Sequence, residues 1–410
     1  MRENIEYNVP QKESEEGITR RELFKGAGLF GLLLAAKPKE AAALVEEWAN
    51  KERKEGEPKI SIEIFYGAHG TKKDVEWLKE KLKTADIYAP ELAGFRKNDN
   101  RIFNEVSQGK KEPAKALEEL RAEKNHPFYP YFLHQLHAIY ESRKWIILLD
   151  APKGKLTEKF DELETHGIRP LESIEATIKY VKEYLQAETK LQEIREKFIL
   201  GNLENLIDLI RKDRRFKKPR GKKEIHILMS MGAFHTKMYQ YLQESGKEVK
   251  RAFDIMPFIY DFHSEGSRRY AFGKPVEDEL AMKILLEQNI PLIYETQLDS
   301  LTQNSLKKIQ FKRKIVDQFN INEVKKMFEL VNEKFDRGKG FWERVVLTHK
   351  DAEMVEDAKR ILDEMRKNPY ETRRFLFTDV LFDKIREKNI KFPQTEKELG
   401  EMIGWKEKQE

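Results

Sequence analysis

The run "KWIILLDAP", at positions 144–152, sets five apolar residues in succession before an aspartate. A strand with one face in water alternates apolar and polar side chains. One that is apolar on both faces must be covered on both, the condition of a parallel strand between two layers of helix. "ISIEIF", "ADIYAPE" and "EIHILMSMG" read as further strands, and "KDVEWLKEKLK" between the first two as an amphipathic helix with Val75, Leu78 and Leu82 on one face. Strands are therefore expected near 60–66, 86–90, 145–149 and 225–231, in one mainly parallel sheet. "VKRAFDI" and "IPLIYET" are weaker strand candidates that follow. From Ser173 to about Ile210 the chain reads as one long helix, with Ile174, Ile178, Val181, Leu185, Leu191 and Ile194 in a near-heptad stripe. Beyond Leu301 two amphipathic helices stand out, on Val324, Met327, Phe328 and Val331, and on Met354, Ala358, Ile361 and Met365. The expected fold is α/β: a mainly parallel sheet flanked by helices, with a long helical insertion and a helical C-terminal appendage. Its expected divisions are a tail over 1–56, the α/β domain over 57–300 and the appendage over 301–410.

Composition narrows the chemistry. The chain has 410 residues and no cysteine, which excludes disulfides, thiolate nucleophiles and cysteine-ligated zinc or iron–sulfur centres. Its 77 basic and 72 acidic side chains leave a net charge of +5, too small to imply a nucleic-acid partner. A hydrophobic fraction of 39% with 24 Phe and 14 Tyr suffices for a folded core. Near the start, "TRRELFK" precedes the apolar residues 26–36 and then "KPKEAAAL". Arg20 and Arg21 with that short apolar stretch resemble a twin-arginine export signal. The stretch is too short to span a bilayer, which takes about 20 residues. The resemblance implies recognition by the twin-arginine export machinery, cleavage near Ala43 or an uncleaved anchor, and a periplasmic or other extracytoplasmic location. The alternative is an amphipathic leading helix of a cytoplasmic protein.

Four ionisable residues fall at the ends of the expected strands: His69 after the first, Glu91 after the second, Asp150 after the third and His235 after the fourth. Ligands of open parallel sheets bind outside the carboxyl ends of the strands, so these side chains are expected on the ligand-binding edge. Polar residues commonly end strands, and any one of them alone would mean little. Their types together suit acid–base chemistry or a divalent metal.

These motifs carry a family resemblance over roughly Lys59 to Ser245. "HGTKKDVEWLK" resembles the first histidine motif of the erythromycin esterase-like proteins. "MGAFH", ending in His235, resembles the second Gly-x-x-His of the superfamily that joins them with the ChaN haem-binding and TraB/TIKI proteins. "REKFILGNL", from Arg195 to Leu203, is similar to the family's Arg-acidic-x-x-Met-Ala-x-Asn-Ile/Leu helix, with Ile199 and Leu200 in place of Met-Ala. In the first motif, glycine stands two residues before His69 rather than three. The resemblance implies that His69, His235, Glu91 and Arg195 are catalytic and that Glu91 is the family's acidic strand end. Asn202, Asp150 and Gly232 are then expected at the substrate. Arg195 and Asn202, seven residues apart, share a helix face. Hydrolysis of an ester or peptide bond in a small-molecule or peptide substrate is one implied activity. It is either unassisted or helped by a divalent metal (Mn, Co or Zn) on His69, His235 and Glu91. The other is binding without chemistry, of haem, a metal or another small ligand.

Three further stretches compete for attention. His134 and His137 lie one turn apart on an aromatic-rich helix, a spacing that suits a metal or a plain packed helix. "RKDRRFKKPRGKK" (211–223) reads as a solvated basic loop, and "DFHSEGSRRYAFG" (261–273) as a loop able to touch substrate. No P-loop, Gly-x-Gly-x-x-Gly or Gly-x-Ser-x-Gly occurs.

Overall fold

The computed structural model describes residues 59–67, 72–96, 98–121, 129–212, 224–232, 234–235, 237–253, 259–302 and 304–405. The twin-arginine stretch, His69 and residues 213–223 of the basic run lie outside them. Apart from 244–246, the described residues belong to one compact unit. The chain begins with β1 (Lys59–Gly67), α1 (Lys72–Thr84) and β2 (Ile87–Pro90). Helices α2 (Asp99–Ser107), α3 (Pro113–Glu119) and α4 (Tyr129–Ser142) lead to the short β3 (Trp145–Ile146). After α5 (Lys155–His166) and the long α6 (Ile174–Lys212) come β4 (Glu224–Gly232), α7 (Met238–Glu244) and β5 (Glu248–Phe253). The remainder is helical: α8 (Phe262–Ala271), α9 (Asp278–Leu301), α10 (Ser305–Val316), α11 (Ile321–Thr348), α12 (Ala352–Lys367), α13 (Pro369–Glu387) and α14 (Glu396–Ile403).

All five strands are parallel, in the order β3-β2-β4-β1-β5. β1 and β4 pair from Lys59 beside Glu224 to Gly67 beside Gly232, so two glycines end neighbouring strands together. Alternation along each strand feeds two cores. Ile62, Ile64, Tyr66, Ile227 and Met229 pack beneath the second half of α6 and α7. Phe65, Tyr88 and Leu228 pack beneath α1–α4, where Leu78 and Leu82 are fully buried. Each such side chain removed from water contributes roughly 1.5–3 kcal/mol. On α4, Gln135 turns inward and donates to the Tyr88 hydroxyl at 2.8 Å, which also meets Ser230 Oγ at 2.7 Å. His134 and His137 on the same helix are exposed.

A third core joins the first half of α6 to α9, α11 and α13 through Val181, Leu185, Ile284, Leu285, Val331 and Phe377. The 39 residues of α6 span about 58 Å at about 1.5 Å each, so one helix serves two cores. The expected heptad stripe fails midway along it. Leu191 is half-buried and Ile194 is 47% exposed, while Glu188, Gln192 and Glu196 take the inward positions. The inward set 174, 178, 181, 185, 188, 192, 196, 199, 203 advances by about 3.6 residues per turn. A 3.5-residue repeat drifts off that face by about 20° per heptad.

Other expectations are corrected as well. "VKRAFDI" supplies β5, but "IPLIYET" lies inside α9, with Ile290 and Tyr294 buried one turn apart. Residues 262–271 are helix rather than loop, started by the Asp261 side chain accepting from the Ser264 N–H at 2.6 Å. In α12 the inward residues are Ala358, Leu362 and Met365, with Met354 exposed. Gly266 lets α8 approach closely, since a Cβ there would lie 2.8 Å from Ile284 Cδ1 and 2.9 Å from Leu185 Cδ1. Among the described residues, no helix is long and apolar enough to cross a membrane.

Candidate functional site

The chain leaves β1 and β2 toward the face covered by α1–α4, and leaves β4 toward the opposite face under α7. Such divergence opens a crevice at the carboxyl ends of adjacent strands. Glu91 is the first residue beyond β2, and His235 lies three residues beyond Gly232 at the end of β4. The His235 N–H turns back to the Gly232 carbonyl at 3.1 Å, and the Tyr66 hydroxyl donates to the His235 carbonyl at 3.1 Å. Asp150 stands four residues past β3, and Arg195 comes from the middle of α6.

These four side chains form one hydrogen-bonded chain. Arg195 grips Asp150 bidentately, Nε to Oδ1 at 2.8 Å and Nη2 to Oδ2 at 2.5 Å. Nη2 also donates to Glu91 Oε1 at 2.9 Å, and the same oxygen lies 3.0 Å from His235 Nε2. Glu91 Oε2 accepts from the Gly232 N–H. On its other side His235 Nδ1 lies 3.0 Å from Gln192 Nε2. An amide nitrogen can only donate, so Nδ1 accepts and Nε2 carries the hydrogen given to Glu91. Burial works against the charge of Arg195, but Glu91 and Asp150 outweigh it and hold its pKa above the ordinary value. Asp150 and His235 are 0% exposed, whereas Glu91 keeps 18% and Arg195 13% open. Of the four, Glu91 and Arg195 therefore face the crevice, with the other two behind them.

The supporting residues explain this rigidity. Asn202 does not join the chain. Its Nδ2 donates to the Leu149 carbonyl at 2.8 Å, tying α6 to the residue before Asp150. Gly67 sits against α1, where a Cβ would come within 2.8 Å of Asp74 Oδ1. Gln192, Tyr66 and the role of Glu196 escaped the sequence reading. The signal that could have found them is polar residues at 188, 192 and 196 on the inward side of a long helix. Glu196 is buried, with Oε1 at 3.7 Å from His235 Nδ1 and without a hydrogen-bond partner among the described residues. Burial raises its carboxyl pKa to about 7, against the pull of His235 and Lys237. Burial, with Glu196 adding, likewise raises the Tyr66 phenol. A cavity of about 10 Å³ between α6 and α8, lined by Thr189, Gln192, Glu196, Phe234 and Ser267, has room for one water beside Glu196.

The metal expectation rested on His69, His235 and Glu91 together, and His69 is outside the described residues. Among the described residues, no group of three or more His, Asp or Glu is placed to hold a metal ion. Both Glu91 oxygens already accept hydrogen bonds, so a cation entering there would have to displace a guanidinium, an imidazole or an amide. Comparison with family models, with curated proteins and with solved structures finds no match to this chain.

Proposed function

We propose that the chain is a hydrolase of ester or peptide bonds, of the kind represented by the erythromycin esterase-like and TraB/TIKI proteins, working in the crevice at the carboxyl edge of the sheet. The observation that carries this reading is the continuous chain Asp150–Arg195–Glu91–His235, assembled from four separate stretches with two of its members open to the crevice. Arg195 Nη1 has no partner among the described residues and is the donor left for a substrate carbonyl as it becomes an oxyanion. Asp150 fixes the plane of that guanidinium, and His235 with the Gly232 N–H fixes Glu91. In this reading His69, two residues beyond Gly67 in sequence, takes a proton from the attacking water. The twin-arginine stretch supports the further proposal that the protein is exported.

A panel of chromogenic esters and short peptides tests the activity, with Arg195→Lys as control. Lysine keeps the charge but loses the planar fork. Turnover falling by about 10²–10³-fold in the variant supports the reading. No turnover on any substrate, or full turnover in Arg195→Lys, overturns it. A second reading, binding of haem or another small ligand without chemistry, draws on His235 being fully buried with both ring nitrogens engaged, which leaves it no free nitrogen to act as a base. A chromophore that copurifies without turnover would select it.

A further inference from the structure

A second histidine–carboxylate pair lies along the same helix. Glu188 precedes Arg195 by seven residues, about two turns or 10 Å along α6. Two side chains of α8 converge on one of its oxygens: His263 Nε2 lies 2.9 Å from Oε2, and Ser267 Oγ donates to it at 2.8 Å. The His263 ring sits 6.1 Å from Tyr184 and edge-on to Phe234 at 5.6 Å, and Phe234 is the residue before His235. Glu188 and Arg195 both act electrostatically on Glu164 of α5, in opposite senses.

The two pairs differ in what they leave free. His235 is enclosed, with Gln192 on one nitrogen and Glu91 on the other. His263 is 18% exposed and anchored through Nε2, and its Nδ1 has no partner among the described residues. An imidazole held by a carboxylate on one nitrogen and open on the other is arranged to pass a proton to a ligand. Hydrolysis also needs a proton for the departing group, from the base that took it from water or from a separate acid, and neither Arg195 nor the Glu91–His235 pair has one to release.

We propose that His263 is the general acid of the reaction, delivering the Nδ1 proton to the leaving group, with Glu188 as its positioning residue. The proposal rests on the hydrolase reading. The water gives one proton to the base and its oxygen bonds to the carbonyl carbon. The carbon–oxygen or carbon–nitrogen bond then breaks, and its electron pair, left on the departing atom, takes the proton from His263 Nδ1. His263 becomes neutral, keeps its Nε2–H on Glu188 and is reprotonated from solvent. Burial works against the imidazolium, but the carboxylate of Glu188, with Asp261 and Glu287 adding, outweighs it and holds the His263 pKa above the ordinary value. These acids come from α6, the α8 cap and α9, the elements packed around the ring.

Leaving-group dependence tests this directly. An alkyl ester needs its alkoxide protonated, whereas p-nitrophenolate leaves unaided. His263→Gln should lower kcat on an alkyl ester by about 10²-fold and leave kcat on the p-nitrophenyl ester within a few-fold. Its Tm should stay near that of the parent. The parent should lose alkyl-ester activity as pH rises through the His263 pKa, and that alkaline limb should vanish in His263→Gln. Glu188→Gln should move the limb to lower pH, and Glu188→Asp should restore part of the shift. Equal slowing of both esters, slowing of neither, or an unmoved limb in Glu188→Gln overturns the role of His263 alone. No turnover of either ester by the parent protein overturns the hydrolase reading and this proposal with it.

Discussion

Replacing Glu196 with glutamine should make the protein more stable at pH 8, and only slightly so at pH 5. Glu196 is buried between Gln192, His235 and Lys237, and burial raises its carboxyl from 4.5 to about 7. A raised acid favours the protonated native state. Its contribution is complete below the unfolded value near 4.5 and is lost as pH climbs through about 7. The gap of about 2.5 units corresponds to about 3 kcal/mol at about 1.36 kcal/mol per unit. Glutamine has nearly the same shape and never ionises, so the variant escapes that loss. Urea unfolding of both proteins at pH 5, 6, 7 and 8 measures the difference, and other titrating groups cancel in the comparison. The variant should gain about 2–3 kcal/mol between pH 5 and 8, spread almost evenly over pH 5–7 and levelling off above it. A difference that does not change with pH, or one that favours the parent at pH 8, would refute the reasoning.

Two further substitutions probe the frame around the site. Gly67→Ala should cost about 1–3 kcal/mol by thermal unfolding, because its Cβ would meet Asp74 Oδ1 at 2.8 Å where β1 packs on α1. Asn202→Ala should cost about 1–2 kcal/mol by urea unfolding, since it removes the amide that bonds the Leu149 carbonyl at 2.8 Å.

Much of the sheet was legible because its strands are apolar on both faces, and short runs such as "EIHILMSMG" admit few alternatives once helices flank them. Glu91, Asp150 and His235 were legible for a topological reason: parallel strands deliver their following residues to one edge, whatever the detailed packing. Arg195 stood out only through the resemblance of "REKFILGNL" to a known motif, since nothing in helical periodicity marks it. The failures have separate causes. "IPLIYET" is a short apolar run, which periodicity alone cannot assign to helix or strand, and the rest of α9 decided it. The stretch that carries His263 is expected as a loop able to touch substrate, whereas Asp261 caps it as the start of α8. Gln192 and Glu196 were hidden because inward polar residues break the apolar stripe that defines an inward face. They turn inward because α6 passes between two cores at that point, and His235, with the cavity beside it, supplies polar surroundings.

The central claim is that Arg195, Glu91 and His235 act as one unit through the shared oxygen of Glu91. A double-mutant cycle on kcat/KM for a hydrolysed ester, using Arg195→Lys, His235→Gln and the pair, tests it most directly. The double variant should lose little more than the worse single variant, because either change already releases Glu91. Losses that multiply, as they would for independent residues, would contradict it.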